Sequence, residues 1–205
     1  MEYQPSDMSV PCDSGIINLR VGAIIVKENK ILMVKNNKHD YYYSVGGRIN
    51  FGETAEEAII REVYEETGTY LTINRLTCIH ENYFYGDASS NLGKLIYEIS
   101  FFFLLNTPDD FEPICNSFTE DGNPESLCWV SPETNEIIYP HFFIKEALNP
   151  SPGLKYYVSY ERTKNTALQN NDTVTSADSK LPCEAFVCPD NDSHSGLINK
   201  NTSLD

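Results

Sequence analysis

The stretch "GRINFGETAEEAIIREVYEETG", Gly47 to Gly68, constrains the fold most, because it specifies both ends of a helix and then places acids where apolar side chains belong. Thr54 is a good N-cap, and Glu57, three residues on, completes a capping box. Gly68 stands where a C′ glycine ends a helix, so the segment predicts a helix over about 54 to 67. At ~100° per residue, Ala55, Ile59 and Val63 fall on one line, flanked by Ala58 and Ile60. Glu62 and Glu66 land in the same half of the wheel, Glu65 at its edge, and Glu56 and Glu57 outside.

Glu62, Glu65 and Glu66 have i, i+3, i+4 spacing, which sets neighbouring Cβ atoms ~5–6 Å apart. Like charges at that distance repel, and partial burial strengthens the repulsion. Protonation, arginine pairing or shared hard divalent cations with oxygen ligands could relieve it. The segment holds six glutamates and only two arginines, Arg48 and Arg61. Arg61 lies four residues from both Glu57 and Glu65 and can orient them. Metal is the better account of the remaining charge. The plain alternative, a solvated acidic helix face, is weakened because Glu62 and Glu66 face the core side. Gly46, Gly47 and Gly52 allow the preceding loop to turn tightly and approach a ligand.

Around this segment the chain alternates strand signals with a second helix. "RVGAIIVKENKILMVKN" reads as a hairpin about "KENK", and "YYYSVGG" as a third strand ending in paired glycines. "RLTCIHENYFYG" and "KLIYEISFFFLLN" have strand composition about a polar loop. "ESLCWVSPE" and "LKYYVSYE" offer further strands, and "PHFFIKEALNP" a short helix. The expectation is a mixed α and β fold. Residues 1–17 form a lead segment, 18–162 the domain, and 163–205 a polar tail with little to bury, expected to be mostly disordered. The Asn-x-Ser/Thr triplets at Asn171, Asn191 and Asn201 follow from that tail's composition.

A net charge of −15 argues against a long nucleic acid partner, which needs clustered Lys and Arg. It leaves room for a small phosphorylated ligand that arrives with metal. No signal peptide is evident, and "LIYEISFFFLL" is too short to span a bilayer and contains Glu98, so a cytoplasmic protein without membrane attachment is expected. The six cysteines include no C-x-x-C pair, which argues against zinc.

The segment resembles the signature of the Nudix (MutT-type) hydrolases: glycine, five residues, glutamate, seven residues, then R-E-U-x-E-E-x-G-U, with U bulky and aliphatic. Gly47, Glu53, Arg61, Glu62, Val63, Glu65, Glu66 and Gly68 fit, and Thr69 in place of an aliphatic residue is the one departure, a matter of packing. The resemblance extends over about 18 to 161. It implies an α/β (α+β) fold with a mixed sheet sandwiched between helices and a loop–helix–loop catalytic motif. It also implies hydrolysis of a nucleoside diphosphate linked to another moiety, with Mg²⁺ or Mn²⁺ as cofactor. By position, Glu65 and Glu66 are the principal metal ligands, Glu62 a further ligand or the general base, and the Gly46 carbonyl a further contact. Glu53 and Arg61 are supporting residues. A sensor that binds nucleotide with little turnover is the alternative reading, and a homodimer is compatible with the family.

In this family the base can also come from a later acidic loop. "SFTEDGNPESLCWV" offers Glu120 first, with Asp121 and Glu125 behind it. Glu98 and Glu81 read more readily as paired structural charges. The substrate-binding candidates are Arg48, Tyr43 from the "YYY" run, which could stack on a base, and Tyr85. Tyr85 stands about where diadenosine-polyphosphate hydrolases show a tyrosine, and the proline that ADP-ribose hydrolases tend to show there is missing. The histidines, His39, His80, His141 and His194, have no partner at ligand spacing.

Overall fold

Long apolar runs that alternate about tight turns build the strands, and the chain is seen here as a computed structural model that describes residues 6–12, 15–37, 40–87, 89–114, 122–161 and 185–187. In chain order the elements are β1 (Ser9–Cys12), β2 (Gly15–Ile24), β3 (Val26–Lys27), β4 (Lys30–Asn36), β5 (Tyr41–Ser44) and α1 (Ala55–Thr67). Then follow β6 (Thr72–Tyr85), β7 (Leu95–Asn106), β8 (Glu125–Val130), β9 (Ile137–Tyr139), α2 (Phe143–Leu148), β10 (Lys155–Glu161) and β11 (Ala185–Val187). One sheet has the order β1-β2-β7-β6-β10-β11; the other runs β3-β4-β5-β9, with β8 also on β4. Parallel pairs (β2 with β7, β10 with β6, β5 with β9) and antiparallel pairs coexist, so this is the mixed α and β architecture expected from the sequence.

The two sheets meet along residues 45–49, which continue from β5 alongside β2. Val21 and Ala23 donate to the carbonyls of Gly47 and Val45 at 2.9 and 2.8 Å, and Ile49 donates to Leu19 at 3.0 Å. This junction carries the loop that leads into α1.

Side-chain alternation explains the two cores. Along a strand, successive side chains point to opposite faces, and a strand covered on both faces can be apolar throughout. Val21, Ala23, Leu32 and Val34 point to one face and cluster with Val45, Ile49, Ala58, Ile59 and Val63, which seats α1 there. Ile24, Ile31 and Met33 point to the other and cluster with Phe102, Phe142, Phe143, Ala147 and Tyr157, which seats α2. Each fully buried Val, Ile or Phe contributes ~1.5–3 kcal/mol to holding a helix in place. Thr67 is also buried on α1, its hydroxyl donating to the Val63 carbonyl at 2.6 Å.

The capping box forms as the sequence specifies: the Glu57 N–H donates to the Thr54 hydroxyl at 3.2 Å, and the Thr54 N–H donates to Glu57 at 2.8 Å. Gly68 closes the helix at φ +70°, a left-handed conformation that costs glycine little. Within the lead segment, Ser9–Cys12 forms β1 on β2, and within the tail, Ala185–Val187 pairs with β10. The rest of the tail, with Cys183, Cys188 and His194, lies outside the described residues. Among the described residues no helix is long and apolar enough to cross a membrane.

Candidate active site

Two glycines let the α1 acids reach the sheet junction. Gly46 has φ +136°, and a Cβ there would lie 2.2 Å from the Val21 carbonyl oxygen. A Cβ on Gly47 would lie 2.3 Å from Oε1 of Glu62, so only glycine leaves that carboxylate room against the backbone.

Arg61 gathers the acids on its side of the helix. Its Nη2 and Nε bond the two oxygens of Glu53 at 2.6 and 3.1 Å, a bidentate pair, and Nη2 also reaches the Arg48 carbonyl at 3.0 Å. Its Nη1 bonds Glu62 at 2.8 Å and Glu65 at 3.1 Å. The expected link to Glu57 is not made, because the capping box holds that carboxylate on Thr54. Arg61 keeps Glu53 below the ordinary carboxylate range, helped by the Asn50 N–H at 2.6 Å. Glu62 is pushed up by burial, with Arg61 pulling the other way. Burial separates the acids as the helical wheel implies: the Glu62 side chain is 13% exposed and that of Glu65 54%.

Glu66 is the extreme case. It is raised well above its ordinary value, first by burial and then by the charges of Glu62 and Glu125. Its hydrogen-bond donor among the described residues is the Gly46 N–H, 3.4 Å from both oxygens. Glu125 arrives from β8, which pairs with β4 in the register Asn36↔Glu125. The Tyr43 phenol donates to Glu125 at 2.5 Å, and the Asn36 amide donates to the same phenol oxygen at 3.3 Å. Burial first, then that bond to Glu125, raises the Tyr43 phenol far above its ordinary value.

The structure therefore brings together Glu53, Arg61, Glu62, Glu65, Glu66, the Gly46 backbone and Tyr43. It adds Glu125, which the sequence placed behind Glu120; Glu120 and Asp121 lie outside the described residues. Asn36 carries no signal in the sequence, because its role depends on a pairing between strands some 90 positions apart. Arg48 contributes its carbonyl, while its guanidinium pairs with Asp7 at 3.1 Å and lines a cleft of about 370 Å³ with Lys94 and Asn18. Tyr85 stands at the far end of β6, in register with Leu95. Glu98 is held by Arg20 at 3.9 Å and by Asn18 and Ser100 at 3.4 Å, and Glu81 accepts from the Tyr156 phenol. His80 is buried against Ser159 at 2.9 Å and is lowered to about 4 by burial, so its ring is neutral. His141 is exposed beside Tyr139, and His39 lies outside the described residues.

The donor set fits a hard divalent cation. Its groups are carboxylates, and two of them, Glu62 and Glu66, are raised by burial as groups lacking sufficient positive charge are. Among the described residues, no three such side chains are already gathered at ligand spacing. Arg61 Nη1 instead bridges one oxygen of Glu62 and one of Glu65. The bidentate bond to Glu53 keeps Arg61 anchored.

The NUDIX domain family model matches residues 17–147. An ADP-ribose pyrophosphatase of Methanocaldococcus jannaschii is 37% identical over 65 residues, 30% of this chain and 38% of that protein. A MutT-like protein of Streptomyces ambofaciens is 28% identical over 80 residues, 38% of this chain and 50% of that one. The matches thus span half or less of each of these relatives. Among solved structures, the MutT protein from Bacillus halodurans superposes with a TM-score of 0.51 at 21% identity, covering 70% of this chain and 90% of that one, which is a likeness of fold.

Proposed function

Since the chain belongs to the NUDIX family, we propose that it cleaves the pyrophosphate bond of a nucleoside diphosphate linked to another moiety, with an activated water as nucleophile. The observation that carries this reading is the buried Glu66, raised well above its ordinary value beside Glu62 and Glu125, where Gly46 and Gly47 open the backbone. Carboxylates so placed would hold Mg²⁺ or Mn²⁺, which when bound neutralises the anhydride oxygens and lowers the pKa of water.

The chain's own residues then have separate duties. Glu65 and Glu66, with Glu62, bind the cation. Arg61, clamped by Glu53, fixes the approach of Glu62 and Glu65. The proton of the attacking water goes to a carboxylate within hydrogen-bond reach. Glu62 and Glu120 are the candidates from sequence, and Glu125 joins them because Tyr43 holds it beside Glu66. In this proposal the catalytic domain is 18–162. The relative named as an ADP-ribose pyrophosphatase makes ADP-ribose one of the first substrates to try.

The test is phosphate or nucleotide release from nucleoside triphosphates, ADP-ribose, dinucleoside polyphosphates and nucleotide sugars with Mg²⁺ or Mn²⁺. Turnover should fall on the order of 10²–10⁴-fold when Glu65→Gln and Glu66→Gln are combined. Undiminished turnover in that double variant would remove the assigned site.

A further inference from the structure

The six-stranded sheet carries an aromatic surface that the acid cluster does not use. Tyr97 on β7, Tyr83 on β6 and Tyr160 on β10 stand opposite one another, in the registers Tyr83↔Tyr97 and Tyr160↔Tyr83. Their rings stack across the three strands, Tyr97 on Tyr83 at 4.6 Å and 23°, and Tyr83 on Tyr160 at 5.5 Å and 7°. Side-chain alternation fixes the face. Phe101, four residues from Tyr97 on β7, packs against the α1-side core, whereas Phe102 and Tyr157 belong to the α2-side core. The ladder is therefore on the α1 side, at the end of the sheet away from the Val21 and Ala23 that seat the helix, since Tyr97 is opposite Ile17. The row runs on through Ile17 to Val10, both exposed, and ends at Tyr160, which is 55% exposed.

An acid lies in the next row of the same face. Glu81 is two residues from Tyr83 on β6. It accepts from the phenols of Tyr156 and Tyr97. Desolvation first, then the bond to Glu81, raises the Tyr97 phenol to about 12, and the bond to Glu81 first raises that of Tyr156 to about 12. Both phenols thus stay neutral donors at neutral pH, and they orient the carboxylate without cancelling its charge.

Charge selects what fits this face. A second copy would bring a second Glu81 to the same patch, because a two-fold interface joins like surfaces, and like charges buried together repel. Single-stranded nucleic acid stacks on such rings, but its phosphates would meet Glu81 and a chain of net charge −15. A flat cation satisfies both features, since it continues a stack of rings and pairs with a carboxylate. Diagonal neighbours across two strands are only ~7–8 Å apart, within reach of one arginine side chain. We propose that this face docks an extended, arginine-bearing segment of a partner protein, its guanidinium stacked at the Tyr160 end of the ladder and paired with Glu81. None of these residues belongs to the acid cluster, so the inference stands apart from the hydrolase reading.

The test is fluorescence anisotropy of the full chain at physiological ionic strength. The probes are a labelled peptide of three Gly-Arg-Ser repeats and the same peptide with citrulline, a neutral planar isostere, in place of arginine. Wild type should bind the arginine peptide about tenfold or more tightly than the citrulline peptide. Tyr160→Leu and Glu81→Gln should each weaken it about 2–5-fold, while Tyr160→Phe, which keeps the ring, should not. Glu56→Gln removes the same charge from the exposed side of α1 and should leave affinity unchanged. Thermal unfolding close to wild type shows that the variants are folded. Wild type that fails to bind, or binds both peptides equally, overturns the inference. So does unchanged affinity in Tyr160→Leu or Glu81→Gln, or an equal loss in Glu56→Gln, which would reduce the effect to net charge. Three further results would give the face another occupant and overturn the inference as well. They are a sedimenting dimer that Tyr160→Leu dissolves, binding of an oligothymidylate probe, and peptide uptake only when Arg162→Gln, Lys164→Gln and Lys180→Gln are combined in the chain's own tail.

Discussion

The molecule buries carboxylates in two places and treats them differently. On the α2 side, Glu146 is 0% exposed and meets the Lys155 ammonium at 2.6 Å and the Tyr157 phenol at 2.5 Å, both on one oxygen. On the α1 side, Glu66 receives, among the described residues, the distant Gly46 N–H and faces Glu62 and Glu125. A charge buried for the fold's sake is met by an opposite charge, because an uncompensated one costs several kcal/mol. The α1 acids are left under-compensated, and a fold tolerates that where an incoming ligand supplies the missing charge.

Four changes break or sharpen this contrast. The largest effect belongs to Glu66→Gln, which should lower kcat on the order of 10²–10⁴-fold while leaving metal-free stability equal or higher, since a repelled charge is removed. Steady-state rates and urea midpoints measure the two halves. On the other side, Lys155→Met should strand Glu146 and cost ~3–5 kcal/mol in urea unfolding, with turnover per folded molecule near wild type. If Lys155→Met proved neutral for stability, or Glu66→Gln destabilising, the two regions would not differ as described.

A smaller effect lies in pH. Glu62 and Glu66 have folded values above the ordinary 4.5, so the native state holds protons that the unfolded chain has released. Their contribution to stability is full below about 4.5 and is lost as pH rises through the raised values. In metal-free buffer Glu66→Gln should therefore decline less than wild type over that window, by at most about 1.4 kcal/mol per pH unit. Urea midpoints across pH measure the difference, and parallel curves would contradict unpaired burial. Smallest is Thr54→Ala, which removes the capping box and should cost about 1 kcal/mol by thermal unfolding. It should change rate far less than Glu66→Gln, because α1 stays seated by Ile59 and Val63.

The contrast also separates what local sequence conveys from what it does not. Thr54, Glu57 and Gly68 mark the ends of α1, and 3.6-residue spacing tells Glu62 from Glu65, so that half of the site is legible from neighbouring residues alone. The strands of β6 and β7 are legible for the same reason: composition and a loop signal lie side by side. Asn36, and the meeting of Glu125 with it, are not, because that meeting depends on β8 crossing to β4 over a separation that carries no periodic signal. The short strands β1 and β9 give too few residues for a pattern. Glu146 is hidden within an apolar helix, and its partner Lys155 lies on β10. The same limit applies to Arg61: four-residue spacing allows both Glu57 and Glu65, and the cap's hold on Glu57 decides between them.

The most direct measurement is Mn²⁺ binding by electron paramagnetic resonance, on wild type and on Glu66→Gln, each with and without α,β-methylene-ADP. Wild type should take up Mn²⁺, more tightly with the nucleotide present, and Glu66→Gln should lose that uptake. Equal Mn²⁺ binding by the two proteins, or none by wild type even with nucleotide, would contradict the claim that these buried acids are kept for a divalent ion.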